Sequence, residues 1–160
     1  TNYCVAVNVS GVQLFADDFV DQVLAVLERT GIEPCLLGLE VTESVLISRE
    51  FHAIEKVNEL IRHGVRIALD DFGTGYSSLS MLKDLRITTL KIDKLFIHDP
   101  NAALLTKMIV RLGHTLGAEI VAEGVENEEQ MRAIRRAGCD CSERRGCAMT
   151  SASPFPPPDR

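Results

Sequence analysis

The chain has 160 residues, of which 46% are hydrophobic and 25% charged, a composition typical of one soluble globular domain. Its formal net charge of −6 argues against a general DNA- or RNA-binding protein, because phosphate backbones are held by clustered Lys and Arg. No apolar run approaches the about 18 residues of a membrane span, and five cysteines without regular pairing indicate reduced thiols and a cytoplasmic location.

Hydrophobic spacing predicts strands and helices in alternation along the chain. Short β-branched or apolar runs predict five strands, at residues 5–9, 36–41, 65–69, 89–92 and 119–122. Apolar residues at helical spacing predict helices between and after them, at residues 19–27, 51–61, 78–82, 104–112 and 128–137. Strands that alternate with helices predict a parallel sheet.

Polar residues occur at or near the carboxyl end of every predicted strand. They are Asn8, Glu40, Asp70 with Asp71, Lys91 with Asp93, and Glu123. In an open doubly wound sheet the site draws mainly on two neighbouring strands, whereas in a barrel every strand faces the same mouth. This distribution favours an α/β fold of the TIM-type (β/α) barrel. Because a complete barrel usually needs about 200 residues or more, five clear strands predict an incomplete barrel.

Four of these residues form a set of oxygen ligands: Asn8, Glu40, Asp70 and Asp71. Such a set suits Mg²⁺ or Mn²⁺ rather than zinc or copper, and bound ions let an acidic protein hold a phosphodiester. Adjacent aspartates suit a two-ion site, because one carboxylate can bridge both ions while the other binds only the second. The alternative is that each strand-end side chain caps the helix that follows.

Two further pairs suggest chemistry. Lys91 and Asp93 lie two residues apart on one strand, so their side chains face the same side, where the lysine can hold a nucleophilic water or balance a phosphate charge. The alternative is a buried salt bridge. Glu123 and Glu126 flank Gly124-Val125, where one can act as general base and the other as metal ligand. They can equally be an acidic pair stabilised by the dipole of the following helix.

Five motifs, taken together and in this order, resemble the EAL domain family. They are Asn8-Val9-Ser10, Leu39-Glu40-Val41-Thr42-Glu43-Ser44, Asp70-Asp71-Phe72-Gly73-Thr74-Gly75-Tyr76-Ser77-Ser78, Leu90-Lys91-Ile92-Asp93 and Ala122-Glu123-Gly124-Val125-Glu126. The resemblance extends from residue 3 to about residue 139. It implies a modified TIM barrel that hydrolyses cyclic di-GMP to linear pGpG with two Mg²⁺ or Mn²⁺ ions.

The resemblance also implies a role for each matching metal-site residue. Asn8, Glu40 and Asp70 resemble the ligands of one ion, whereas Asp70, Asp71 and Glu126 resemble those of the second. A complete domain of this kind is expected to bind cyclic di-GMP and to form a homodimer. The parent protein is expected to carry an upstream sensor or cyclase domain and can be membrane-anchored.

The remaining matches concern catalysis and assembly. Lys91 and Asp93 resemble residues that hold the attacking water, and Glu123 resembles the proposed general base. A further set resembles the loop that couples metal binding to dimerisation: Glu43, Gly73, Thr74, Gly75, Tyr76 and Ser77.

Two features depart from the family pattern. The Glu-Ala-Leu segment that names the family, with a metal-binding Glu and a substrate-binding Arg, is expected upstream of Thr1. A Gln-Gly-Tyr string and a Pro are expected after Gly138-Cys139-Asp140, where the segment at residues 142–147 stands instead. We therefore predict an N-terminally truncated EAL-type domain at residues 1–141 and an irregular Ser/Pro-rich tail at residues 142–160.

Two functions remain open from the sequence. One is a phosphodiesterase domain, favoured because Asp70, Asp71, Lys91 and Glu123 are all present. The other is a degenerate EAL domain that binds cyclic di-GMP or a protein partner without cleavage, favoured by the departures at both ends. A third, weaker interpretation is a piece that serves only in assembly.

Overall fold

The sheet has six parallel strands that lie side by side in the order in which they occur along the chain. A computed structural model describes residues 4–48, 50–73 and 79–142. The strands are β1 (Val5–Asn8), β2 (Leu37–Thr42), β3 (Arg66–Phe72), β4 (Thr89–Ile92), β5 (Glu119–Ala122) and β6 (Cys141–Ser142). They curl into a half-barrel, so the prediction of an incomplete TIM-type barrel is confirmed. A doubly wound sheet would reverse its strand order at a switch point, which this sheet does not do in its described strands.

Helices connect the strands and cover one face of the sheet. They are α1 (Gly11–Phe15), α2 (Phe19–Thr30), α3 (Glu43–Ser48), α4 (Glu50–Arg62), α5 (Leu79–Asp84), α6 (Lys94–His98), α7 (Ala103–Thr115) and α8 (Glu128–Ala137). Short 3-10 helices occupy Pro34–Leu36 and Pro100–Ala102. The five predicted helices and five predicted strands are all present. The structure adds β6, α1, α3 and α6, which are too short to give a periodic signal.

Local sequence accounts for the ends of the long helices. Asn127 accepts a hydrogen bond from the Gln130 backbone N–H, and the Gln130 side chain bonds back to Asn127, so α8 begins with a capping box. Gly138 ends α8 in the left-handed conformation with φ of 95°. Asp18 occupies the N-cap position of α2, but its carboxylate accepts a hydrogen bond from the Gln22 side-chain amide at 2.7 Å. Its backbone is not extended (ψ of 8°), so the carboxylate does not cap the first amides.

The core lies between the sheet and the helices. Six strand side chains of the main hydrophobic cluster have at most 1% exposure: Val41, Ile67, Leu69, Leu90, Ile92 and Ile120. Burial of one such side chain stabilises the fold by about 1.5–3 kcal/mol. By contrast, β1 lies at the edge of the sheet, and its Val5 and Val7 are 53% and 44% exposed. Within the described ranges, no helix is both long enough and apolar enough to cross a membrane.

The described cysteines are free thiols, as predicted: Cys4, Cys35, Cys139 and Cys141. Burial, reinforced by the charge of Asp140, raises the pKa of Cys139 to about 11. Burial and a hydrogen bond to Glu119 raise the pKa of Cys141 to about 12. Both thiols therefore stay protonated near neutral pH, and thiolate chemistry is disfavoured there.

Candidate active site

The end of β3 carries a local irregularity at its two aspartates. The pairing of β3 with β4 shifts register between Leu69 and Phe72. Within this bulge Asp71 has φ of 54°, which is uncommon for a residue other than glycine, and its N–H donates to Asp70 Oδ1 at 2.9 Å. Successive side chains of a regular strand face opposite sides. The bulge instead lets two consecutive carboxylates reach the same site.

Asp70, Asp71 and Glu123 form a cluster of partly buried carboxylates. One oxygen from each lies within 4.8 Å of the others. Asp70 and Asp71 come from β3, whereas Glu123 directly follows β5, two strands away. Three hard oxygen donors at this separation match the preference of Mg²⁺ or Mn²⁺, which bind carboxylates and water.

Lys91 lies at the centre of the acidic site, and its side chain is only 5% exposed. Its Nζ is 2.5 Å from Glu123 Oε1, 3.0 Å from Glu40 Oε2 and 3.7 Å from Asp70 Oδ1. Burial alone would lower the pKa of Lys91, but the hydrogen bonds to Glu123 and Glu40 and the charge of Asp70 outweigh it. The net pKa is raised and the ammonium stays charged. The buried salt bridge is therefore present, and a water-holding role stays a prediction.

Asp93 connects the site to α6. It is 8% exposed, and its Oδ1 accepts the Leu95 N–H at 2.7 Å, which caps the helix. The pKa of Asp71 is raised, mainly by burial and next by the negative charge of Asp70. A hydrogen bond with Asp93 and the charge of Asp93 raise it further, whereas the positive charge of Lys91 lowers it. Without a bound cation, Asp71 therefore keeps its proton to higher pH than an ordinary aspartate.

Asn8 and Glu40 lie side by side at the ends of β1 and β2, where they are register partners. Glu40 bonds to Lys91, and its carbonyl accepts the Val9 N–H at 2.8 Å. Asn8 is exposed, and it does not cap α1, whose N-cap is Ser10. The capping alternative thus does not explain Asn8. Its role as a metal ligand stays a prediction.

Glu126 lies apart from the acidic cluster. Its side chain is exposed, and its N–H donates to Gln130 Oε1 at 2.8 Å, just before the N-cap of α8. The structure thus brings Glu123, rather than Glu126, together with Asp70 and Asp71. The assignment of Glu126 as a ligand of the second ion stays a prediction.

Glu43 and Gly73 contact each other behind the aspartates. Glu43 is only 1% exposed, and its Oε2 accepts the Gly73 N–H at 2.9 Å. Gly73 has φ of 96°, and a Cβ there would lie 2.7 Å from the Phe96 ring. The Phe96 ring, on α6, therefore lies directly against Gly73 at the end of β3. The other residues of the predicted coupling loop, Thr74, Gly75, Tyr76 and Ser77, lie outside the described residues.

Comparison with known proteins gives one family. The family model described as the EAL domain matches residues 2–143. The bifunctional diguanylate cyclase/cyclic di-GMP phosphodiesterase MucR of Pseudomonas aeruginosa is 45% identical over 140 residues, which are 85% of this chain and 20% of that protein. The cyclic di-GMP phosphodiesterase PdeR of Escherichia coli is 35% identical over 159 residues, 97% of this chain and 23% of that protein. The chain spans about a fifth of the length of these curated relatives.

Solved structures agree with this result. The PaMucR phosphodiesterase in complex with c-di-GMP superposes with a TM-score of 0.85 at 42% identity, covering 93% of this chain and 62% of that one. The Klebsiella pneumoniae BlrP1 manganese/cy-diGMP complex gives a TM-score of 0.81 at 28% identity, covering 89% of this chain and 38% of that one.

Proposed function

Because this chain belongs to the EAL domain family, we propose that it contributes to the metal-dependent hydrolysis of cyclic di-GMP to linear pGpG. The observation that carries the proposal is the assembly of Asp70, Asp71 and Glu123 around the charged Lys91 at one end of the sheet. The names of MucR and PdeR, both cyclic di-GMP phosphodiesterases, support the substrate. The alignment covers only 62% of the PaMucR phosphodiesterase chain, which supports the proposal that the active domain contains strands besides the six described here.

Two Mg²⁺ or Mn²⁺ ions are the proposed cofactors. The all-oxygen donor set fits them, and the manganese complex of BlrP1 supports the choice. Asn8, Glu40 and Asp70 would hold one ion, and Asp70, Asp71 and Glu126 would hold the other. When bound, such ions offset phosphate charge and acidify a bound water.

The chain's own residues would then handle the water and its proton. Lys91 supplies a fixed positive charge and N–H donors for the attacking oxygen, and Asp93 accepts a hydrogen bond from the same water. Glu123 takes the proton as general base. Its position 2.5 Å from Lys91 supports this role, because the ammonium holds the carboxylate at the centre of the site. Asp70, Asp71, Lys91 and Glu123 lie together here, and a degenerate relative that only binds would commonly have lost some of them, so cleavage is favoured over binding alone.

Metal removal tests the proposal directly. In the parent protein, excess EDTA is expected to abolish conversion of cyclic di-GMP to pGpG, because the carboxylate site then holds no cation. Added Mg²⁺ or Mn²⁺ should restore conversion, whereas Ca²⁺ should inhibit it, since its larger and looser coordination shell fits a fixed two-ion site poorly. Product is followed by liquid chromatography. Full turnover in excess chelator would exclude the two-ion mechanism, and tight nucleotide binding without product would indicate the noncleaving alternative.

We further propose that the complete domain forms a homodimer through α6 and α7. Large apolar side chains are 51–70% exposed on these two helices: Leu95, Leu104, Leu105 and Met108. The helices contact each other, with Thr106 Oγ1 donating to the Phe96 carbonyl at 3.5 Å. Because Phe96 also packs against Gly73, a partner at this surface would contact the element that supports the end of β3. The bifunctional name of MucR supports a cyclase domain in the same parent protein.

Negative charges introduced on the exposed apolar surface of α7 should prevent two copies of the domain from associating. Leu104→Glu with Met108→Glu is expected to convert a dimer into a monomer, because two carboxylates would be buried without partners. Size-exclusion chromatography with light scattering measures the mass. Val26→Glu is the matched control, since Val26 is a 43% exposed apolar residue on α2. An unchanged dimer mass in the double variant would place the dimer surface elsewhere.

A further inference from the structure

Helix α6 links two segments of the site. At its start, Asp93 caps the helix and interacts with Asp71. At its end, His98 Nε2 lies 2.9 Å from the Gly124 carbonyl oxygen. Gly124 directly follows Glu123, so this contact reaches the backbone beside the proposed general base.

The turn at residues 123–126 is held at several points. The Glu123 N–H donates to the Ile92 carbonyl at 3.0 Å, which ties the start of the turn to β4. Val125 is 1% exposed and packs with Ala122 and Ile134. Between these two anchors, the hydrogen bond from His98 fixes the Gly124 carbonyl. The imidazole therefore contacts the peptide group that joins Gly124 to Val125.

Gly124 allows α6 to lie close to this turn. Its φ is +67°, and a Cβ there would lie 2.7 Å from Lys94 Cβ. Such a distance is too short for two carbon atoms, so only glycine permits the approach that brings His98 Nε2 within hydrogen-bonding distance of the Gly124 carbonyl.

We propose that His98 is a positioning residue for Glu123. This proposal rests on the proposed phosphodiesterase function. A carbonyl oxygen only accepts hydrogen bonds, so His98 must carry its proton on Nε2. By holding the Gly124 carbonyl, His98 keeps the turn in the conformation that places the Glu123 carboxylate 2.5 Å from Lys91 and near Asp70 and Asp71.

The test compares His98→Ala and His98→Gln with the wild type in the full-length protein. Loss of one hydrogen bond is expected to lower kcat about three- to tenfold, with KM changed less than about twofold. Amide hydrogen exchange of the peptide covering residues 119–128 should become faster in His98→Ala. His98→Gln should restore both quantities, because its side-chain amide can donate to the same carbonyl. The control is His63→Ala, an exposed histidine after α4 at the opposite end of the sheet.

The two measurements separate failure of this proposal from failure of the proposed function. If His98→Ala leaves either kcat or exchange at the wild-type value in an active protein, the positioning role is wrong. A change confined to KM would also overturn it, because it would indicate contact with substrate. If the wild type has no phosphodiesterase activity, the proposed function is wrong. The contact between His98 and the turn is then tested by hydrogen exchange alone, and an unchanged exchange rate in His98→Ala would overturn it.

Discussion

Replacement of Glu123 by Gln is expected to reduce turnover of cyclic di-GMP by about 10²- to 10⁴-fold while leaving nucleotide affinity nearly unchanged. The amide oxygen of Gln can still accept a hydrogen bond from Lys91, which lies 2.5 Å from Glu123 Oε1 in the present site. The amide cannot take a proton from water, so only the base is removed. Initial rates give kcat, and calorimetry with the variant gives the nucleotide Kd.

Two further measurements define what Glu123 does. Glu129→Gln, at an exposed position on the first turn of α8, is the matched control and should keep full activity. Because Glu123 also clusters with Asp70 and Asp71, Mn²⁺ affinity is measured in the same variant. A large drop in Mn²⁺ affinity with recovery of turnover at high Mn²⁺ would make Glu123 a metal ligand instead. A variant that binds nucleotide weakly but cleaves bound nucleotide normally would make it a substrate-positioning residue.

Replacement of Asp70 by Ala is expected to abolish detectable activity. Asp71→Ala should retain a low activity, which excess Mn²⁺ should raise part of the way to the wild-type value. A bridging carboxylate serves both ions, so its loss uncouples them, while loss of Asp71 weakens only the second ion. The contact between Lys91 and Asp70 at 3.7 Å adds to the cost, because Lys91 then loses one of its counter-charges.

Activity measured against Mn²⁺ concentration checks this difference. Asp21→Ala, on the first turn of α2, is the control for loss of an acidic group away from the site. Melting temperatures of all three variants show whether the fold is retained. Equal losses in Asp70→Ala and Asp71→Ala, neither restored by Mn²⁺, would argue that Asp70 is not the only bridging group.

Much of the fold could be predicted because its signals are local. The strand at Glu119–Ala122 and the helix at Glu128–Ala137 have the predicted bounds, since a β-branched run, a capping box and a C-terminal glycine each act within a few residues. The end of β3 is different. The strand was predicted to stop at Leu69 but continues to Phe72, because the bulge and the positive φ of Asp71 arise from pairing with β4 and not from local propensity.

In the site, too, the features set by local sequence were predicted and those set by tertiary contacts were not. Strand ends predicted that Glu40, Asp70, Lys91 and Glu123 share one rim, and their contacts agree. Spacing did not predict that Glu123, rather than Glu126, joins the aspartates. That outcome depends on the turn at Gly124, whose φ of +67° the sequence does not specify. His98 was missed because its helix has only five residues and its partner, Gly124, lies 26 residues further along the chain in the turn after β5. The glycine directly after Glu123 is a sequence signal that could have indicated a close approach of another element at this turn.

The sequential strand order also bears on how the chain folds during synthesis. Each strand pairs with the strand translated just before it, from β1 with β2 to β5 with β6. Register partners lie close in sequence: Val121 and Cys141 are 20 residues apart, and Val5 and Leu37 are 32 residues apart. A strand leaving the ribosome therefore finds its neighbour already made, and the sheet can extend from its N-terminal edge without waiting for distant segments. The clustered carboxylates would then meet late but before β6 pairs, when the segment after β5 emerges and brings Glu123 to the aspartates of β3.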